Sequence, residues 1–174
     1  INIEDHWPRI AAIDFGWDHP TAVVWCAVDN ETETFYVYDC YRASKASPAV
    51  HAEIIKMRPH FIPIAYPHDG NRRDSMGNPG LAEQYRGHGC NFTLDHFHNP
   101  PGLGQNKGSN SVEEGLMAML QSMEAGKFKV FSTLPDWFEE YRMYHRKDNK
   151  VVAIRDDLMS ATRYAFQSQR HAIA

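Results

Sequence analysis

The chain has 174 residues, 43% hydrophobic and 23% charged, which suits one compact domain with a real core and leaves too little for two. No apolar run approaches the roughly 18 residues that span a bilayer, and no secretory leader opens the sequence. A net charge of −4 argues against a protein that coats nucleic acid through charge alone, but not against carboxylates that gather divalent metal. The first residue is Ile1, so a piece of a longer or processed chain is expected. Cys26, Cys40 and Cys90 are odd in number and widely spaced, which predicts buried thiols in a reducing compartment and no disulfide framework.

Arg9–Phe15 reads as a buried strand, broken by Gly16-Trp17-Asp18-His19-Pro20. Thr21–Val28 and Phe35–Tyr41 are further β-branched and aromatic runs, and the short connections predict an antiparallel meander. Ser47-Pro48 starts a helix with Val50, Ile54 and Met57 on one face, stopped at Arg58-Pro59. Phe61–Tyr66 is a short strand. Asn78-Pro79 starts a short helix with Leu81, Ala82 and Tyr85 on its apolar face, and Asn91–Leu94 is a candidate strand. His96–Asn110, rich in Pro, Gly and Asn, is a long loop.

Ser111 and Glu114 form a capping box ahead of a helix carrying Val112, Leu116, Met119, Leu120 and Met123, stopped at Gly126. Phe128–Phe131 is a short strand. Pro135–Tyr144 is a helix with Trp137, Tyr141 and Tyr144 on one face. Lys147-Asp148-Asn149-Lys150 turns a hairpin, and Asp156–Phe166 is the last helix. A meander followed by α/β alternation implies a mixed sheet with helices on its faces.

Three acidic sites stand where elements end. Asp14 lies near the end of a buried strand, Asp69 just past the strand Phe61–Tyr66, and Asp156 and Asp157 enter the last helix. Each has an ordinary reading as a turn or helix cap. Yet an ionised carboxylate between Ile13 and Phe15 needs a partner. A divalent cation shared by several carboxylates is one, since Mg²⁺ and Mn²⁺ prefer hard oxygen ligands.

Ile13-Asp14-Phe15-Gly16 with Asp18-His19-Pro20-Thr21-Ala22 resembles the first active-site motif of the large terminase subunits of tailed bacteriophages. Tyr66-Pro67-His68-Asp69-Gly70 resembles their second motif, and Asp156-Asp157-Leu158-Met159-Ser160-Ala161 with Arg163-Tyr164-Ala165 their third. The likeness runs from about Arg9 to Phe166 and is nearest to the headful-packaging, short-tailed phage type. It implies a ribonuclease H-like α/β fold and an endonuclease that cuts concatemeric viral DNA during packaging. It also implies two Mg²⁺ or Mn²⁺ ions held by Asp14, Asp69 and one or both of Asp156 and Asp157. The implied partners are double-stranded DNA, the small terminase subunit, the portal and an ATPase domain of the same polypeptide, in the host cytoplasm and outside the mature virion. Family members commonly carry an acid three positions beyond the aspartate pair; Ser160 stands there, so the relative roles of Asp156 and Asp157 stay open.

No Walker A pattern occurs, so the ATPase part lies outside residues 1–174, which are expected to form a single nuclease domain. Arg72 and Arg73, after the second motif, and Arg146, Lys147 and Lys150, around the hairpin, are candidate DNA phosphate contacts or simply solvated cations. His88-Gly89-Cys90 and Asp95-His96-Phe97-His98 do not follow a zinc-finger spacing and read as loop residues. His68 is a candidate partner for a ligand carboxylate or a packing residue, and Asp18 a turn cap or an outer contact of the site. The rival readings are an interaction module of the same fold with weak or lost nuclease activity, and a sugar-kinase-like phosphotransferase, disfavoured by the lack of a phosphate-cradling glycine loop. For the nuclease reading, the first strand must neighbour Phe61–Tyr66, and the last helix must lie against the same end. Carboxylate oxygens of the three sites are then expected within about 8 Å, around ions about 4 Å apart, with Arg72 or Arg73 near the rim.

Overall fold

The computed structural model describes residues 1–174 except 103–107, 110, 144, 148–149 and 153–155; of 145–147 and 150–152 it describes the backbone alone. Strands β1 (Arg9–Asp14), β2 (Thr21–Asp29) and β3 (Thr34–Ala43) form the predicted antiparallel meander. Strand β4 (Ile64–Ala65) adds parallel to β1, and β5 (Phe128–Val130) parallel to β3, giving the order β4-β1-β2-β3-β5. The sheet is therefore mixed, as expected.

Strand β1 is buried on both faces, and its alternation decides where each side chain goes. Ile10 and Ala12 join a cluster with Leu158, Met159, Ala161 and Ala165 of α5 (Asp157–Gln167), Met119 of α3 (Val112–Glu124) and Trp137 of α4 (Pro135–Met143). Ala11 and Ile13 join the opposite cluster, with Ala52 and Ile55 of α1 (Pro48–Ile55) and Ala82 and Tyr85 of α2 (Leu81–Gly87). The period of two then assigns Asp14 to the α5 face and Phe15 to the α2 face.

Several expected details shift. Of Phe61–Tyr66 only Ile64–Ala65 is strand: Pro63 has no N–H to give, although its carbonyl accepts from the Ala11 amide. Asn91–Leu94 contributes a single bridge, Phe92 to Ile64. In α1 the buried face is His51, Ala52 and Ile55, with Val50 and Met57 exposed, because the His51 ring turns inward to meet the Tyr41 hydroxyl at 2.9 Å. Helix α2 starts at Leu81 behind Gly80, since the Asn78 side chain and amide both bond Asp74.

In α3 the buried residues are Gly115 and Met119, while Val112 and Leu120 are exposed. Gly115 lies under the Arg163 side chain, where a Cβ would come within 2.8 Å of Cγ, and this contact sets the helix's rotation. The Ser111 hydroxyl caps the Glu114 amide as predicted, but the Glu114 carboxylate takes the Ser109 hydroxyl. Buried Asn99 donates to Ser109, the Ser111 carbonyl and Glu114, and accepts from Gln167, which ties the loop's two ends to α5. In α4, Trp137 and Glu140 are buried and Tyr141 is exposed, stacked on Trp137; Tyr144 lies outside the described residues. Strands β6 (His145–Lys147) and β7 (Lys150–Val152) pair as the expected hairpin.

Candidate active site

Parallel pairing of β1 with β4 brings the ends of both strands to one edge, with Ala12 opposite Ala65. Asp14 ends β1, and Asp69 follows β4 in the 3₁₀ turn His68–Asn71. Two glycines make this juncture possible. A Cβ on Gly16 would lie 2.2 Å from the His19 carbonyl oxygen, so only glycine fits this turn. The Thr21 hydroxyl staples the turn, accepting from the Gly16 amide at 3.1 Å and donating to its carbonyl at 2.9 Å.

Gly70 does the same for the second motif. A Cβ there would lie 2.8 Å from the Phe15 ring and 2.9 Å from the Tyr66 ring. Phe15 is in turn packed among Tyr85 and Phe92. Gly70→Ala is expected to cost about 1–3 kcal/mol, the usual range for overpacking, because the rings or the turn that carries Asp69 must shift. Urea melts check this; an Ala variant of wild-type stability would show that the rings yield freely.

The start of α5 explains why its two aspartates are available. Asp156 occupies the cap position, yet its side chain makes no capping bond. The amides of Leu158 and Met159 are instead taken by Glu140 Oε1, at 2.8 and 3.2 Å, reaching across from α4. Glu140 is completely buried, and its other oxygen accepts from Arg42 at 2.9 Å. Arg42 also meets Asp136 and Glu139. Burial raises the Glu140 carboxyl to about 7, with Arg42 and the two amides opposing the rise. With a foreign carboxylate capping the helix, Asp156 and Asp157 are spared that task.

The electrostatics converge on Asp14. Its carboxyl is pushed up from 3.8 to about 7, first by burial, then by the charges of Asp157, Asp156 and Asp69; a hydrogen bond from the Tyr164 hydroxyl at 3.3 Å opposes this. Asp157 is buried and also raised, by burial and by Asp156, with His19 and Arg42 pulling the other way. Asp157 faces an open cleft of about 420 Å³ bounded by Asp18, His19, Pro20, Arg42 and Ser44. Thus all three acidic segments act on one carboxyl. Among the described residues, however, no three His, Cys, Asp or Glu side chains converge closely enough to hold one metal ion.

The other candidates have separate settings. Arg72 is exposed; Arg73 bonds the Gly77 carbonyl and Glu83. The side chains of Arg146, Lys147 and Lys150 lie outside the described residues. His68 is exposed, its ring edge-on to His96 at 6.1 Å, and His96 and His98 both lie near Asp95. Tyr164 and Glu140 were not expected as site residues. For Tyr164 the signal was its place seven residues after Asp157, two helical turns along the same face. For Glu140 it was an acid three positions after Trp137, inside the apolar stripe of α4.

Residues 11–169 match the family described as the terminase RNaseH-like domain. The chain is 37% identical to the large terminase subunit of Salmonella phage P22 over 169 residues, covering 97% of this chain and 33% of that protein. It thus spans about a third of the curated relatives it matches. The solved P22 large terminase nuclease domain superposes with a TM-score of 0.87 at 35% identity, over 99% of this chain and 86% of that one. The nuclease domain of the bacteriophage SPP1 large terminase, solved with bound Mn, shares the fold at a TM-score of 0.61 and 18% identity, over 95% and 87% of the two chains. The fold is ribonuclease H-like, a mixed five-stranded sheet with helices on both faces, and the chain belongs to the terminase RNase H-like domain family.

Proposed function

We propose that this chain is the endodeoxyribonuclease part of a viral DNA-packaging motor, hydrolysing phosphodiesters of concatemeric double-stranded DNA with divalent metal. The observation that carries the reading is the state of Asp14: burial and three acidic neighbours hold its carboxyl near 7, with one neutral hydroxyl in compensation. Such a carboxyl is costly to ionise on its own and is suited to a cation. The donor set of Asp14, Asp69, Asp156 and Asp157 is all hard oxygen, which fits Mg²⁺ or Mn²⁺, and the SPP1 relative was solved with Mn.

Two ions held there would activate the attacking water and neutralise charge on the leaving 3′ oxygen. The chain's own residues do the rest. Gly16 and Gly70 let the two strand ends approach, Tyr164 orients Asp14, and Glu140 fixes the start of α5 so that Asp156 and Asp157 face inward. Arg72 and the basic hairpin residues Arg146, Lys147 and Lys150 are the proposed phosphate contacts. The ATPase domain of the same polypeptide, the small subunit and the portal are the proposed partners that decide when cutting occurs.

Incubation of the chain with supercoiled plasmid is expected to give nicked and linear DNA with Mg²⁺ or Mn²⁺, and none in excess chelator. Protons compete with the ion at Asp14, so cleavage at limiting metal falls as pH drops through about 7 and recovers with more metal. Undiminished cutting in chelator would exclude the metal mechanism.

A further inference from the structure

Trp17 stands apart from the other tryptophans. Trp7, Trp25 and Trp137 are 9%, 1% and 2% exposed, whereas Trp17 is 58% exposed, three residues after Asp14. Its backbone is nonetheless firmly placed. Gly16 before it has no room for a Cβ, and Thr21 staples the turn on both sides of the Gly16 peptide. The Trp17 carbonyl accepts from the Lys45 amide at 2.7 Å. Lys45 reaches this bond with φ at 55, left-handed backbone that a non-glycine residue rarely adopts. An exposed indole on a pinned loop, joined to a lysine in an unfavourable conformation, is a surface arranged for contact.

We propose that Trp17 and Lys45 form the lip on which the duplex to be cut is seated, Trp17 packing against a deoxyribose and Lys45 taking a backbone phosphate. This rests on the nuclease reading above. Nucleic acid is favoured as occupant because the next residues of the same loop, Asp18, His19 and Pro20, line the cleft onto which Asp157 opens. The apolar neighbour in this loop, Phe15, turns inward to Tyr85 and Phe92 and so adds nothing to the exposed face of Trp17. Lys45 is the exposed cation at this lip and His19 a second donor beside it, set against Asp18 on the same loop and Asp157 within the cleft. Arg42, in the same cleft, is already engaged by Asp136, Glu139 and Glu140. Sugar and phosphate contacts of this kind position a duplex without reading its bases.

Because Trp17 is the exposed tryptophan, its emission reports on this surface directly. In chelator, where no cutting occurs, saturating duplex is expected to shield the emission from acrylamide in the wild-type chain and to leave Trp17→Phe unchanged. Trp17→Ala should weaken binding roughly tenfold with unaltered circular dichroism, and Trp17→Phe should restore most of it. Lys45→Ala should lower the salt dependence of binding by about one phosphate contact. Full acrylamide access to Trp17 in bound DNA, or wild-type binding by Trp17→Ala, overturns the proposal. If the wild-type chain binds duplex in chelator and cuts it once Mg²⁺ or Mn²⁺ is added, the nuclease reading survives and only the lip is lost; if it neither binds nor cuts, both fall.

Discussion

Asp14→Asn is expected to abolish cleavage and to raise the melting temperature of the metal-free protein. Loss of activity should be roughly a hundredfold or more, since even an outer partner of a metal ligand is worth 10- to 100-fold. The gain in stability follows from the raised carboxyl. In the unfolded chain Asp14 ionises near its ordinary value of 3.8, and in the fold near 7. The fold therefore carries no penalty from this group below about pH 3.8; the penalty grows as pH rises and is complete above about pH 7. At most this is about 4 kcal/mol, taking 1.36 kcal/mol for each of about three units. Asparagine removes the charge and keeps an acceptor for the Tyr164 hydroxyl. A rise of several degrees at pH 8 is expected, shrinking toward zero near pH 4. Added Mn²⁺ should stabilise the wild-type protein and leave the variant almost unmoved. Near-normal cleavage would remove Asp14 from the chemistry, and an unchanged or lower melting temperature at pH 8 would remove the repulsion argument.

The meander is legible in three β-rich runs with short connections and the mixed sheet in the α/β alternation after them, while the face of Asp14 is fixed by period-two alternation along β1. The terminase resemblance rests on short motifs whose glycines have visible geometric causes, because Gly16 and Gly70 stand where a side chain would strike a carbonyl or two rings. Helix rotation was less legible. Apolar spacing in α1 pointed to Val50, Ile54 and Met57, but the polar pair His51–Tyr41 turned the helix, and in α3 a buried Arg163 did the same over Gly115. Periodicity counts apolar residues and is blind to polar groups that are buried because they find partners.

Glu140 is the strongest instance, and its removal should have the second large effect. Glu140→Ala is expected to destabilise the protein by about 2–5 kcal/mol and to reduce cleavage at limiting metal. Two costs combine. The buried amides of Leu158 and Met159 lose their acceptor, each worth about 1–3 kcal/mol when left unpaired. Arg42 loses its one fully buried partner but keeps Asp136 and Glu139, both partly exposed, so that share of the loss is smaller. For a chain of this length the melting temperature should fall by about 4–20 °C, at 2–4 °C per kcal/mol. Glu140→Gln distinguishes capping from charge: its carbonyl oxygen can still accept from both amides, so it should recover most of the stability. The functional consequence concerns Asp156 and Asp157. With Glu140 gone, the natural acceptor for the free amides is the Asp156 carboxylate at the helix cap, which draws it away from the proposed metal site. Glu140→Ala should then need more Mn²⁺ for half-maximal cleavage even at temperatures where it is fully folded, while Glu140→Gln should not. Equal metal requirements in folded Ala and wild-type proteins would show that Glu140 stabilises α5 without freeing its aspartates.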